Sequence, residues 1–377
     1  LGLATALIPQ GAIIDVIGSN ELDCPDVHHR PGMTFLNLRG DQDHGASFAK
    51  KVSRVLLYYA RLIRYSATAK PGIFHILWNN KFEFFDRTFL MLYYKFLRKK
   101  IVLTVHNVNK ARRDGRDTRL NRLTLRIQYR LSDHMFVHTE KMKLELIDEF
   151  GEKEARVTLI PYGINNSVPQ TDLDSSSARQ RLGIREAERT ILFFGNIAPY
   201  KGLEYLVLAF RQVLALRDDY RLIIAGRPKN CETYWRAILD GMRNDILSRR
   251  IILRAEFIPD EETEIYFKAA DVLVLPYTHI YQSGVLSLGY SFGLPVIGTD
   301  VGSFREDILE GKTGFLCRPS DPVDLARAIQ TYFESNLYRR LAQTRHEISE
   351  YAQQRCSWHI VAEMTCNTYD GLERSQQ

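Results

Sequence analysis

Lys201 and Gly202 close the stretch ILFFGNIAPYKG (191–202), in which an apolar run meets a glycine turn and then a helical pattern. A cation beside the N–H groups that begin a helix is chemistry for phosphate oxygens. Three further loops carry residues of the same kind. Arg227 follows RLIIAG and offers a second positive charge. Gln282, Ser283 and Gly284 precede an apolar helix, whose first amides, at Gly284, Val285 and Leu286, suit a diphosphate. Gly302 and Glu306 lie in TDVGSFRE. Singly, each reads equally well as a solvated charge or a loop cap. Together, each following an apolar run, they predict one site for a diphosphate leaving group.

The elements that would hold these loops are read from periodicity. Continuous apolar runs such as ILFF, RLIIAG and DVLVLPY have the character of strands buried on both faces of a parallel sheet. Leu203, Leu206, Ala209, Phe210 and Val213 repeat at helical spacing just after the lysine. From Ile191 onward, strands at YRLIIAGRP, IILRAEF, DVLVLPY, PVIGTD and TGFLCRP alternate with helices near 235–242, DEETEIYFKAA, SGVLSLGYSFG and 322–334. An earlier series places strands at AIIDVIGS, MTFLNLRG, IFHILW, IVLTVHNV, MFVHT and VTLIPYG, with helices over 51–67, about 87–98, 118–131 and KMKLELIDEF between them. Both series predict an α/β class with doubly wound parallel sheets. Between Gly163 and Arg189 the pattern lapses into Asn, Ser, Asp and Pro, so the linker is expected there. The expected domains are 1–165 and 166–356, the shared architecture making a cleft between them the default ligand site.

A chain of 377 residues exceeds one hydrophobic core. Its 45% hydrophobic and 25% charged residues are globular composition. No apolar run is long enough to span a bilayer. Five scattered cysteines without ligand spacing favour a reducing compartment, so the expected location is cytoplasmic. The opening residues read as the end of a helix, so a first strand is expected upstream of Leu1. The net charge of +6 is uneven: from Lys50 to Arg130 there are roughly twenty basic residues against about four acidic ones, interleaved with aromatics. Phospholipid, nucleic acid and a phosphorylated substrate all fit such a patch; because it lies on amphipathic helices, an anionic membrane surface or an ordinary solvated face suits it better than nucleic acid. Asp41, Gln42 and Asp43 imitate a metal-binding pair but lack flanking strands, so no metal is expected.

The order of GNIAPYKGLEYLVLAF, LIIAGRP, AEFIPDEETEIYFKAADVLVLPY, QSGVLSLGYSFGLPVIGTDVGSFREDI and GKTGFLCRPSDPVDLARAI resembles the donor-binding domain of family-four glycosyltransferases of the GT-B fold. The first half resembles the family more loosely, through IFHILW, TVHN, FVHTEKMKLEL and IPYGI. The resemblance implies two Rossmann-like domains facing a cleft, the second binding a nucleotide diphosphate sugar and the first a glycan or lipid-linked acceptor. It implies transfer with retention, no cofactor or metal, no nucleic-acid partner, and a closing helix (about 357–377) that returns to the first domain. The expected location is the cytoplasm, with the Lys50–Arg130 patch leaving open either free solution or peripheral attachment to the inner face of the membrane.

Carried across by residue, the resemblance makes Lys201, Arg227 and His106 catalytic. Donor contacts fall on Gly195, Asn196, Lys201, Arg227, Phe257, Ile258, Gln282, Ser283, Gly284, Val285, Leu286 and Glu306. Acceptor contacts fall on His75, Asn79 and Asn107. For His75 packing is an equal reading, and mid-strand His138 reads as structural, with a cleft-facing role as its alternative. Two departures stand out. Asn196 replaces the arginine common after the first glycine, with Arg227 as the available substitute. The family's glutamate pair, seven residues apart, falls at Ile280 and Leu288, neither of them acidic. That loss leaves a transferase-like nucleotide-binding protein with little or no turnover as the alternative.

Overall fold

The computed structural model describes the whole chain except residues 44, 81, 114, 164–167, 230 and 375–377. It divides into two compact units: Leu1–Pro161 with Trp358–Gln377, and Tyr162–Ser357.

The second unit is built on six parallel strands in the order β12-β11-β10-β7-β8-β9: β7 Arg189–Phe194, β8 Tyr220–Ala225, β9 Ile251–Arg254, β10 Val272–Leu275, β11 Val296–Thr299 and β12 Gly314–Cys317. Successive residues of a strand point to opposite faces, and both faces are covered. Ile191, Phe193, Leu222 and Ile224 join one buried cluster with Leu206, Phe210 and Ile329. Leu192, Ile223, Leu273 and Leu275 join another with Phe267, Leu286 and Ile348. The chain moves outward from β7 through β8 to β9, then returns to the other side of β7 at β10. This reversal opens a crevice at the carboxyl ends of β7 and β10, the place where open parallel sheets bind ligands.

The first unit carries two parallel ladders among the described residues, where one sheet had been expected. β1 (Ile14–Ile17) pairs with β2 (Met33–Leu36), and β3 (Ile73–Ile76), β4 (Lys100–Thr104), β5 (His134–Val137) and β6 (Val157–Leu159) pair in sequence. Side chains link them instead of a backbone ladder: Ile17 and Leu38 pack with Phe74 and Ile76 against Tyr58, Leu62 and Met91. Helix α1 (Phe48–Thr68) supplies that cluster, opened by Ser47, whose side chain accepts from the Lys50 amide. On the other face Val102, Phe136 and Ile160 pack with Leu3, Leu7 and Val361. The last helix, Trp358–Arg374, lies against the first, Gly2–Leu7, so closely that a side chain at Gly2 would strike the Trp358 ring.

Two boundaries differ from expectation. The stretch read as linker holds a helix, Ser175–Leu182, because Asp174 caps its start by accepting from the Ser177 amide and Gly183 ends it at φ 68°. Residues 164–167 of that stretch lie outside the described residues. The helix expected from about Arg87 instead begins at Glu83 and runs through a π-turned segment, Asp86–Leu90, to Met91–Phe96.

Candidate active site

Four loops leave the carboxyl ends of β7, β8, β10 and β11, and their backbones are tied to one another. The Ile197 amide donates to Arg227 O (2.9 Å) and the Lys229 amide to Ile197 O (3.0 Å), joining the first two loops. The Thr278 amide donates to Tyr200 O (2.9 Å) and the Ser303 amide to Tyr281 O (3.0 Å), adding the other two. Glycine makes this approach possible: a Cβ on Gly226 would stand 2.0 Å from Gly195 O, and one on Gly202 the same distance from Pro276 O. Their φ values of 146° and 65° would strain any other residue.

Lys201 sits at the centre. It is buried, 7% exposed, at the end of a short turn, Pro199–Lys201, that leads into α2 (Leu203–Leu216). Its Nζ donates to Tyr277 Oη at 2.6 Å and lies 4.3 Å from the centre of that ring. The point a Gly195 Cβ would occupy is 4.0 Å from Nζ and 3.2 Å from the Val285 side chain. The ammonium, the glycine turn and the start of α3 (Gly284–Ser291) therefore border one small space. Ser283 caps α3, its Oγ accepting from the Leu286 amide at 3.3 Å. The cap corrects one expectation: Leu286 is spent on Ser283, and the Gly284 and Val285 amides are the ones at the helix mouth.

Tyr277, which sequence reading passed over, links the parts. It is fully buried, bonded to Lys201, and within hydrogen-bonding range of Ser283; burial pushes its phenol well above the ordinary range, so it stays neutral. Its signal was an aromatic directly after an apolar strand at PYT. Tyr162 is a second residue missed, its hydroxyl 3.5 Å from where a Gly284 Cβ would be.

The other expected donor residues lie on these loops and the β9 loop with differing exposure. The exposed Arg227 guanidinium stands over the exposed Phe257 ring at 5.5 Å, making a pair on the flank of the β8 and β9 loops. Ile258 is buried in the core and Asn196 is exposed. Gln282 and Glu306 are half-buried beside the β10 and β11 loops. Leu288 is 6% exposed and packed in the core, so that helical position presents no polar group. A polar hollow lined by Arg179, Arg189, Asp271 and Tyr338 lies at the opposite, amino edge of this sheet. There Arg179 and Asp271 are a buried 2.6 Å ion pair, which is scaffold.

In the first unit, His106 lies two residues beyond β4. Its ring stacks on Trp78 at 4.2 Å and on His138 at 5.2 Å. His138 follows the end of β5 instead of sitting within the strand. Burial, with the neighbouring imidazoles, pushes His106 down to about 3, so it is a neutral donor or acceptor near pH 7. Trp78, 64% exposed, covers one side of His106 and is another residue the sequence did not flag. His75 has both ring nitrogens engaged, Nδ1 with Tyr369 Oη at 2.6 Å and Nε2 with Thr104 Oγ1 at 2.7 Å. Of its two readings, geometry favours packing. Asn79 exchanges two amide bonds with buried Gln128. Asn107 is half-buried just beyond His106. Asp41 and Asp43 are occupied locally, accepting from the Asp43 and Gly45 amides.

Residues 1–168 match the family described as Glycosyltransferase Family 4, and residues 188–335 that described as Glycosyl transferases group 1. The chain is 26% identical over 215 residues to the D-inositol 3-phosphate glycosyltransferase of Acidothermus cellulolyticus, covering 56% of this chain and 48% of the relative. It is 30% identical over 207 residues to that of Geodermatophilus obscurus, covering 53% and 45%. It thus spans about half the length of these curated relatives. Among solved structures, the sucrose-phosphate synthase of Thermosynechococcus elongatus superimposes with a TM-score of 0.78 at 20% identity, covering 99% of this chain and 92% of that one. Anabaena HepE in complex with UDP-glucose gives 0.70 at 17%, covering 89% and 86%. Two family matches spanning most of the chain, on two parallel α/β units, give the conclusion that it belongs to the family-four glycosyltransferases of the GT-B fold.

Proposed function

We propose that this protein is a retaining glycosyltransferase that moves a hexose from a nucleotide diphosphate sugar to a glycan or lipid-linked acceptor, without a bound metal. The observation that carries the donor side is the placement of Lys201 Nζ beside Gly195 and the mouth of α3. In the reaction, the bond from the anomeric carbon to the diphosphate oxygen breaks, and its electron pair stays with the diphosphate. Lys201 and the Gly284 and Val285 amides meet that growing charge, a contribution of about 2–4 kcal/mol for one well-placed donor. The acceptor oxygen bonds to the anomeric carbon on the same face, and its proton passes to a diphosphate oxygen. His106 is neutral, so in the first unit it can offer a hydrogen-bonding nitrogen to a substrate without adding positive charge.

HepE has been solved with UDP and with UDP-glucose, which supports uridine as the first base to test. The relatives named for D-inositol 3-phosphate put a phosphorylated polyol on the acceptor panel beside glycans and lipid-linked sugars. Titration calorimetry with UDP and GDP, followed by a transfer assay with their hexose conjugates, tests the reading; saturable diphosphate binding and product with a retained anomer are expected. The second reading, nucleotide binding with little turnover, rests on Ile280 and Leu288 standing where the family's glutamates fall, with Leu288 in the core. Diphosphate binding without product on a broad donor and acceptor panel favours it. Absence of any nucleotide affinity rejects both.

A further inference from the structure

The first unit leaves a large apolar surface uncovered. On the helical run from Glu83 to Phe96, Phe85, Phe89, Leu92 and Phe96 recur at helical spacing, so they form one stripe. Phe89 is 58% and Phe96 82% exposed. On α1, Val52, Leu56 and Ile63 form a matching stripe, with Leu56 63% exposed. The two stripes share a seam. Tyr59 meets Phe82 and Phe85 with ring centres 6.0 and 5.1 Å away, and Tyr93 Oη donates to Ile63 O at 3.1 Å. Lys99 Nζ donates to Ala69 O at 2.7 Å, so the helices run side by side in the same sense. The core beneath is already supplied by Tyr58, Tyr59, Leu62, Leu90, Met91 and Tyr94. Phe85 packs on that core, whereas Phe89, Leu92 and Phe96 with Val52, Leu56 and Ile63 are exposed and surplus to it; a continuous apolar stripe, unlike scattered single residues, marks a binding surface.

Charge selects the partner. Lys50, Arg61, Arg64, Lys70 and Arg98 are exposed on the same two elements and at their ends. The one exposed carboxylate of the 83–96 run, Glu83, is paired with Arg87 at 2.6 Å. We propose that this two-helix face docks on an anionic phospholipid bilayer. The aromatic and aliphatic stripes enter the boundary between headgroups and acyl chains while lysine and arginine meet lipid phosphates. This goes beyond the transferase reading and does not depend on it.

The test is co-sedimentation of the whole protein with vesicles of equimolar phosphatidylcholine and phosphatidylglycerol, and with phosphatidylcholine alone. Binding to the anionic vesicles that falls as salt rises is expected. The double variant Phe89→Ser with Phe96→Ser should lower partitioning about tenfold or more. The pair Arg61→Gln with Arg64→Gln should lower it about fivefold per charge on anionic vesicles only. Both pairs are exposed, so circular dichroism, melting and UDP titration should match the parent. Those controls separate a lost surface from a lost fold and from a failed donor site. Equal indifference of the parent to both vesicles, or parent-like binding by the serine variant, overturns the proposal. A concentration-dependent dimer in sedimentation velocity that the serine variant dissolves also overturns it, reassigning the face to a second copy.

Discussion

The two units share an architecture but differ in how most of their buried polar groups are held. In Tyr162–Ser357 the sheet is one continuous six-stranded layer. Its buried charges are paired: Arg179 with Asp271, Glu188 with Arg221 at 2.7 Å, and Glu264 with Lys268 at 2.9 Å. In the other unit the ladders are two and four strands, and the buried polar groups are largely neutral. His75, His106, His134 and His138 are all held uncharged by burial, and Tyr59 and Asn80 bond to Asp86. The difference teaches a division of labour. One unit locks four loops around a single buried ammonium, while the other stacks Trp78 on a neutral His106 and leaves an apolar face open.

The largest expected break in that contrast is Lys201→Ala, which should cut kcat/KM by about 2–4 kcal/mol while the first unit is untouched. Unchanged turnover on a competent donor would remove Lys201 from the mechanism. Next comes Gly226→Ala, which forces a Cβ to 2.0 Å from Gly195 O. It should cost about 2–3 kcal/mol in urea unfolding. Gly241→Ala, where nothing lies within 4 Å inside helix Glu232–Leu247, should instead be neutral or stabilise by under about 1 kcal/mol. Equal losses at both positions would show that the loop lock is not what makes the second unit rigid.

Acid should separate the units. His75 and His106 are pushed down to about 3, and His134 and His138 to about 4, from 6.5. The unfolded chain then binds protons first, so the first unit loses stability as pH falls below 6.5. For Glu264, burial raises the carboxyl, but hydrogen bonds from Thr171 and Lys268 outweigh it and hold it at about 2. Its stabilisation, present above 4.5, is lost only as pH falls from there toward 2. Trp78 and Trp358 lie in the first unit and Trp235 in the second. Fluorescence of a Trp78→Phe/Trp358→Phe variant should therefore report a transition at lower pH than the parent shows; coincident transitions would refute the staging. The smallest effect belongs to Arg227→Ala, whose guanidinium rests on Phe257 at the surface. A loss of about 0.5–1 kcal/mol in diphosphate affinity is expected by calorimetry, and a loss as large as that at Lys201 would place Arg227 in the central cluster.

Much of this was legible along the chain. The apolar runs of β7, β8, β10 and β11, the glycine turns after them and the capping serine of α3 are local signals, because strand burial, positive φ and capping each act within a few residues. They located Lys201, Gly195 and Ser283 and named the sugar-transfer family. Which loops face one another was decided only in three dimensions. β7 stands between β8 and β10, so Lys201 meets Tyr277, which lies 76 positions further along the chain. Trp78 meets His106, and Arg227 meets Phe257, through the same kind of nonlocal packing. The exposed stripe from Phe89 to Phe96 likewise had helical spacing in the sequence, but spacing alone does not say which face the core takes. Side-chain volume already supplied by Tyr58, Leu62 and Met91 turned that stripe outward.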